Sequence, residues 1–240
     1  MSSKDKILDR QIRKWELEKA VQAHERDARE KPGALLAPII TVSRQRGTGG
    51  TILAEKLAER FGYTLLHRDI IDRIVESSGY KRRIVESLDE HSKSQLQLWF
   101  ESVLQGAYMD ASDYVKHLLE VIYSISQLGG AVVVGRGANF ILGPERGFHI
   151  RVVAPREVRI RTLVQRDHLT EREALREIER LDHERAEFVR KVYGRSIDDP
   201  LGYDLVINNL SISMAAVTSL VAAAALEKFE RMRAAGQAGP

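Results

Sequence analysis

Residues 38–62 read PIITVSRQRGTGGTILAEKLAERFG. The first six are a short apolar, β-branched run of the kind a buried parallel strand requires. Arg44 to Gly50 follow as a glycine-rich turn, and residues 51–62 have a helical pattern, with Ile52, Leu53, Leu57 and Phe61 apolar and Gly62 as the stop. A strand that turns through glycines into a helix offers backbone N–H groups and a helix N-terminus to an anion. Gly47, Gly49 and Gly50, with Thr48 between them, are thus a candidate phosphate cradle. Against the phosphate-binding pattern G-x-x-x-x-G-K-[ST], Gly49 and Thr51 fit, but Arg44 stands at the first glycine and Gly50 at the lysine. A tight turn with no ligand explains the same residues, so the loop by itself does not decide.

The pattern repeats on either side. YTLLH (63–67) reads as the next strand, AVVVG (131–135) and HIRVVA (149–154) as two more, and Leu205–Ile207 as a last one. From Asp69 to Leu128 the pattern is helical, with breaks near Gly79 and Gly106. REVRIRTLVQRD and TEREALREIERLDHERAEFVRKVYG are two charged helices, and the closing helix is capped by Ser211 or Ser213. Strands alternating with helices imply an α/β fold around a parallel sheet. Residues 1–33 form a charged helix with Leu8, Ile12 and Trp15 as a narrow apolar stripe, ended by Lys31-Pro32-Gly33. Residues 34–240 form the main domain.

Hydrophobic residues make up 43% of the 240 and charged ones 30%, which suits a globular chain with a core. Cysteine is absent, so disulfides, thiolate zinc sites and thiol catalysis are excluded. A net charge of +3 with no interleaved aromatics argues against nucleic acid as a partner. The first residues have no apolar signal-peptide core, and the uncharged stretch from Leu205 to Leu226 carries too many Asn, Ser and Thr for a membrane span. A cytoplasmic protein with no membrane partner is expected. The seven histidines show no H-x-x-x-H spacing, and no G-x-S-x-G elbow surrounds Ser43.

Six blocks, ITVSRQRGTGGTILAEKLAERFG, LLHRDIID, VVVGRGANFIL, RVVAPREVRIRTL, RLDHERAEF and YDLVINNLSIS, stand in the order found in the nucleoside monophosphate kinases. The chain most resembles the cytidylate kinase-like family, over roughly residues 38 to 230. That resemblance implies a P-loop three-layer fold with a helical acceptor insert at about 69–128 and an arginine-bearing lid at about 160–195. It implies ATP and Mg²⁺ on Gly47, Thr48, Gly49, Gly50 and Thr51, with the Thr51 hydroxyl linked to the metal. Arg68 and Arg136 would face the acceptor nucleotide, with Asp69 as polar support. Relatives carry an acid directly after the equivalent of Arg136, where this chain has Gly137, with Asn139 two positions later.

Arg159 and Arg161 match arginines near the lid, Asp182 and Arg185 preserve a D-x-x-R pair, and Arg180 is the nearest substitute for a further lid arginine. Such a set suits phosphoryl transfer, which needs cations on the migrating group and exclusion of water more than it needs acids or bases. Arg46 is the preferred replacement for the absent lysine, so the catalytic candidates are Arg46, Arg159, Asp182 and Arg185. Two readings follow. One is ATP-dependent phosphorylation of a nucleoside monophosphate, CMP or dCMP by resemblance; the other is a nucleotide-binding regulatory or interaction module without turnover, favoured by the missing lysine. The N-terminal helix is a candidate for packing within the chain or across a homo-oligomer.

Overall fold

The computed structural model describes residues 38–86, 88, 93–94, 96–98 and 112–237, together with Asp9 and Arg13. Five strands, β1 (Ile40–Arg44), β2 (Thr64–Leu66), β3 (Ala131–Val134), β4 (Phe148–Val153) and β5 (Leu205–Asn208), form one sheet in the order β2-β3-β1-β4-β5, with every pairing parallel. Their positions follow the apolar runs of the sequence. The expected α/β architecture around a parallel sheet is what the chain adopts.

Alternation along the strands assigns the two faces. Ile40, Val42, Val132, Val134, Phe148, Ile150 and Val152 point to the side covered by α1 (Gly50–Phe61), which supplies Leu53 and Leu57. Ala131, Val133 and Leu66 point to the opposite side, under helices α2 (Arg68–Glu76), α3 (Ser78–Glu86) and α4 (Asp113–Leu128). Val115, Leu118, Leu119, Ile122 and Ile125 of α4 recur at helical spacing and are all buried there. After β3 comes the short α5 (Ala138–Leu142), and after β4 the hairpin of α6 (Arg156–Asp167) and α7 (Glu171–Tyr193). A capping box starts α7: the Thr170 side chain accepts from the Glu173 amide while Glu173 accepts from the Thr170 amide. The last helix, α8 (Met214–Gln237), joins α1 on its face through Val217, Val221, Ala222, Ala225 and Phe229. Ser213, of the two expected caps, accepts from the Ala216 amide at 3.3 Å.

The break in the helical insert expected near Gly79 falls at Ser77, whose backbone is extended, with Gly79 inside α3. Helix α2 starts at Arg68, one residue before the expected start at Asp69. Gly106 and most of residues 1–33 fall outside the described residues. Asp9 and Arg13 are helical, and Arg83 of α3 donates to Asp9 Oδ1 at 3.2 Å. No helix among the described residues is long and apolar enough to cross a membrane.

Candidate functional site

In open parallel sheets, ligands bind beyond the carboxyl ends of the strands, where successive connections diverge to opposite sides. β1 lies between β3 and β4, and a cavity of 430 Å³ opens at its carboxyl end. Thr41 to Arg44 of β1, His67 to Asp69 after β2, and Gly135 to Gly137 after β3 line it. Thr51 reaches it from α1. From α7 come Leu181, Glu184, Arg185 and Phe188, at the i, i+3, i+4, i+7 spacing that puts them on one helical face.

The turn from Gln45 to Gly50 keeps its middle donors available. The amides of Gly47, Thr48, Gly49 and Thr51 make no hydrogen bond to any described residue, while Gln45 N–H is bound to the Val152 carbonyl at 3.0 Å. Thr48 rigidifies the turn by donating to the Gln45 carbonyl at 2.9 Å, and its own carbonyl accepts from Asn209 Nδ2 at 2.9 Å. Gly49 has φ 76°, a left-handed backbone that lets the chain enter the helix. Gly47 is needed for a different reason. A Cβ there would lie 2.8 Å from the carbonyl oxygen of Arg159, so α6 packs directly on the loop.

Asp182 joins α7 to that loop. Its Oδ1 accepts from the Arg46 backbone amide at 2.8 Å and from Arg185 Nη1 at 3.3 Å, and its Oδ2 accepts from Arg159 Nη1. Arg159, 9% exposed, also donates to the Arg46 carbonyl at 3.4 Å. Arg185 Nη1 donates to the Arg44 carbonyl at 3.1 Å. Burial, and then the nearby Arg46, Arg68 and Arg151, hold the Arg185 guanidinium pKa below its ordinary value against the pull of Asp182. The D-x-x-R pair is therefore a clamp between α7 and the loop, with one of its two side chains in the cavity.

Of the expected cations, Arg68, Arg136 and Arg185 line the cavity and Arg46 and Arg159 do not. Arg46 Nη2 is paired with Asp167 Oδ2 at 2.6 Å and Glu177 Oε1 at 3.0 Å, on the α6–α7 side. Arg180 pairs with Glu184 along α7 at 2.7 Å. Arg68 Nε lies 3.5 Å from Asp69 Oδ1 at the exposed mouth. Arg136 sits in the turn Gly135-Arg136-Gly137, where all three residues have positive φ (88°, 53° and 62°). A non-glycine residue held there is strained, and such strain is typical of positions that aim a side chain. Its guanidinium is gripped by both oxygens of Asp72 and lies over the rings of Phe188 and Tyr114, 5.1 and 5.7 Å from their centres. Tyr114 also donates to Asp72 Oδ1 at 2.8 Å, and burial, helped by Asp72 and opposed by Arg136, raises its pKa.

Sequence reasoning missed Asp72 and Tyr114. Asp72 stands three residues after Asp69 in LLHRDIID, so helical spacing pointed to it; nothing local pointed to Tyr114. It also ranked Arg44 behind Arg46. Arg44 lies in the cavity wall, its Nε is buried without a hydrogen-bond partner, and no carboxylate among the described residues pairs with it. Burial first, then Arg185, Arg68 and Arg46, push its pKa down to about 9.

The stretch of sequence that builds this sheet, turn and cavity, residues 39–211, matches a family model described as the cytidylate kinase-like family. The chain belongs to that family. Two cytidylate kinases are similar to this cytidylate kinase-like protein across most of their length. That of Ignicoccus hospitalis is 24% identical over 76% of this chain and 96% of its own, and that of Pyrococcus horikoshii 26% identical over 78% and 87%. Among solved structures, an uncharacterised protein from Eubacterium ventriosum matches with a TM-score of 0.61 at 20% identity, covering 79% of this chain and 98% of that one. That likeness concerns the fold.

Proposed function

We propose that this protein is an ATP-dependent nucleoside monophosphate kinase, with CMP or dCMP as the acceptor. The observation that carries the proposal is the cavity itself: Arg44, Arg68, Arg136 and Arg185 converge on it beside a loop in which the Gly47, Thr48, Gly49 and Thr51 amides make no hydrogen bond to a described residue. Four guanidinium groups facing one cavity are costly to hold together unless an anion completes the site. Each can contact two phosphate oxygens at once, which positions donor and acceptor and stabilises charge during transfer.

In this reading the triphosphate lies along Gly47 to Thr51, and Arg68, Asp69 and Arg136 receive the acceptor at the ends of β2 and β3. Arg185 reaches the phosphates from α7, while Arg159 and Asp182 hold the loop and α7 together around them. Thr51 lines the cavity at the first turn of α1, where its hydroxyl would join the water and phosphate oxygens around Mg²⁺. The metal would neutralise charge on the phosphates; the chain's own residues orient them and close the site from water. CMP as acceptor rests on the names of the two relatives, and dCMP on the family resemblance.

A coupled assay with Mg–ATP across the common nucleoside monophosphates tests the proposal. Turnover highest with CMP or dCMP is expected; a preference for another monophosphate would correct the acceptor. ATP binding with no turnover on any of them would establish the second reading, a nucleotide-binding module, which the glycine at position 50 favours.

A further inference from the structure

In the pattern G-x-x-x-x-G-K-[ST], the phosphate-binding cation starts from the first turn of the helix. Position 50 holds that place here and is glycine. The space is nevertheless filled. A Cβ on Gly50 would lie 2.6 Å from the Cβ of Arg44 and 3.1 Å from its Cγ, so the arginine stem runs through the volume in which a lysine side chain would begin. Farther out, a Cβ on Gly135 would lie 2.7 Å from Arg44 Nη1. Two residues without side chains, one on α1 and one after β3, thus bracket the whole length of one arginine. The residue at the pattern's first glycine position is the one that has gained a side chain.

What that side chain reaches is the cavity. Arg44 is in its wall, and its guanidinium has neither an ion pair nor a hydrogen bond among the described residues. Arg46, two residues on, differs in both respects: two carboxylates hold its guanidinium, and it is absent from the cavity wall. A buried cation surrounded by other cations and left without a carboxylate is poised for an anionic ligand.

We infer that Arg44 is the phosphate-binding cation of this loop, delivered from the end of β1 in place of a lysine on α1, and that Gly50 is glycine because the Arg44 stem occupies its side-chain space. The assignment rests on the nucleoside monophosphate kinase reading. In that reaction the bond from the γ-phosphorus to the ADP oxygen breaks as a bond to an acceptor phosphate oxygen forms, and a dianionic acceptor has no proton to lose. The guanidinium contacts two oxygens of the triphosphate through this step, where a lysine would act as a point charge.

The test is to move the cation back. ATP affinity by calorimetry, turnover in the coupled assay and circular dichroism are measured for wild type, Arg44→Ala, Gly50→Lys and the exchange Arg44→Gly/Gly50→Lys. Arg44→Ala should bind ATP about 10- to 100-fold more weakly and lower kcat by on the order of 10²–10³. Gly50→Lys alone, crowded by the Arg44 stem, should bind ATP more weakly than wild type, and the exchange should recover ATP affinity to within about tenfold of wild type. Arg44→Met, which keeps a long stem and removes the charge, replaces Arg44→Ala if that variant does not fold. Wild-type ATP affinity in the charge-removed variant, or a folded exchange variant binding no better than it, would overturn the assignment. The two proposals fail separately. A wild type that binds ATP through Arg44 yet phosphorylates no nucleoside monophosphate defeats the kinase reading alone; full turnover by Arg44→Ala defeats the Arg44 assignment alone. Absence of any ATP binding defeats both.

Discussion

Arginine is concentrated in two neighbouring regions, the seam where α6 and α7 meet the glycine loop and the cavity at the end of β1. At the seam, each arginine is matched: Arg46 with Asp167 and Glu177, and Arg159 and Arg185 with Asp182. In the cavity, Arg44 has no such partner among the described residues. Arg136 stands between these cases, facing the cavity while both oxygens of Asp72 hold it. Matched charges fix geometry, because removing one partner strands the other; an unmatched buried charge lowers stability and is retained for something absent from the fold. The seam is the frame of the site and the cavity arginine is its tool.

The comparison breaks most directly at Asp182. Replacing it with alanine strands Arg159, loosens Arg185 and frees the Arg46 amide, at a cost of about 3 kcal/mol in unfolding free energy by urea denaturation. An unchanged midpoint would mean that the seam is not structural.

Next comes Arg136→Ala, expected to raise the acceptor KM by about 1.5–3 kcal/mol of binding and to affect ATP less. Equal losses for both substrates would move Arg136 into the frame.

Arg44→Met should do the opposite of Asp182→Ala. Removing an unmatched buried charge while filling its volume should raise unfolding free energy by about 1 kcal/mol, even as ATP binding is lost. Destabilisation would show that Arg44 has a structural partner.

Protons offer a gentler probe. The Arg44 pKa is held down to about 9 in the free protein, below its ordinary value. A bound anion favours the charged form, so near and above that pH binding takes up a proton and ATP affinity falls as pH rises. From about pH 7.5 to about pH 9.5 the expected loss is about fourfold, absent in Arg44→Met, with calorimetry in two buffers reporting the proton uptake. In the unliganded protein the sign reverses: above about pH 9 the unfolded chain keeps a proton the folded one has lost, and this group's contribution to stability rises with pH.

Arg46→Ala marks the small end. Its guanidinium is one-quarter exposed and paired away from the cavity, so about 0.5 kcal/mol of stability and little change in kcat are expected. A loss of kcat on the order of 10²–10³ would restore Arg46 as the loop's cation and remove Arg44 from the role.

The sequence by itself determined the scaffold. Short β-branched runs, helical periodicities and glycine stops are local signals, and they located all five strands, the two charged helices and the turn between β1 and α1. Those elements in that order, with right-handed crossovers, leave few ways to build a parallel sheet, so the fold class followed. The same signals placed the candidate loop, while Arg68, Arg136 and the Asp182–Arg185 pair came from the family resemblance and fall at strand ends or on α7. Only the tertiary structure decided what each arginine does. Arg44 and Arg46 are two residues apart and look alike in the chain; the strand ends between them, so one stem stays over the sheet and the other turns toward α6 and α7. Their fates were set by carboxylates 121 and 131 positions downstream, Asp167 and Glu177, and by the small residues Gly50 and Gly135 that make room for Arg44. Secondary structure is written in neighbours along the chain. Charge matching is written in neighbours across space, and a single sequence carries almost no local trace of which acid will meet which base.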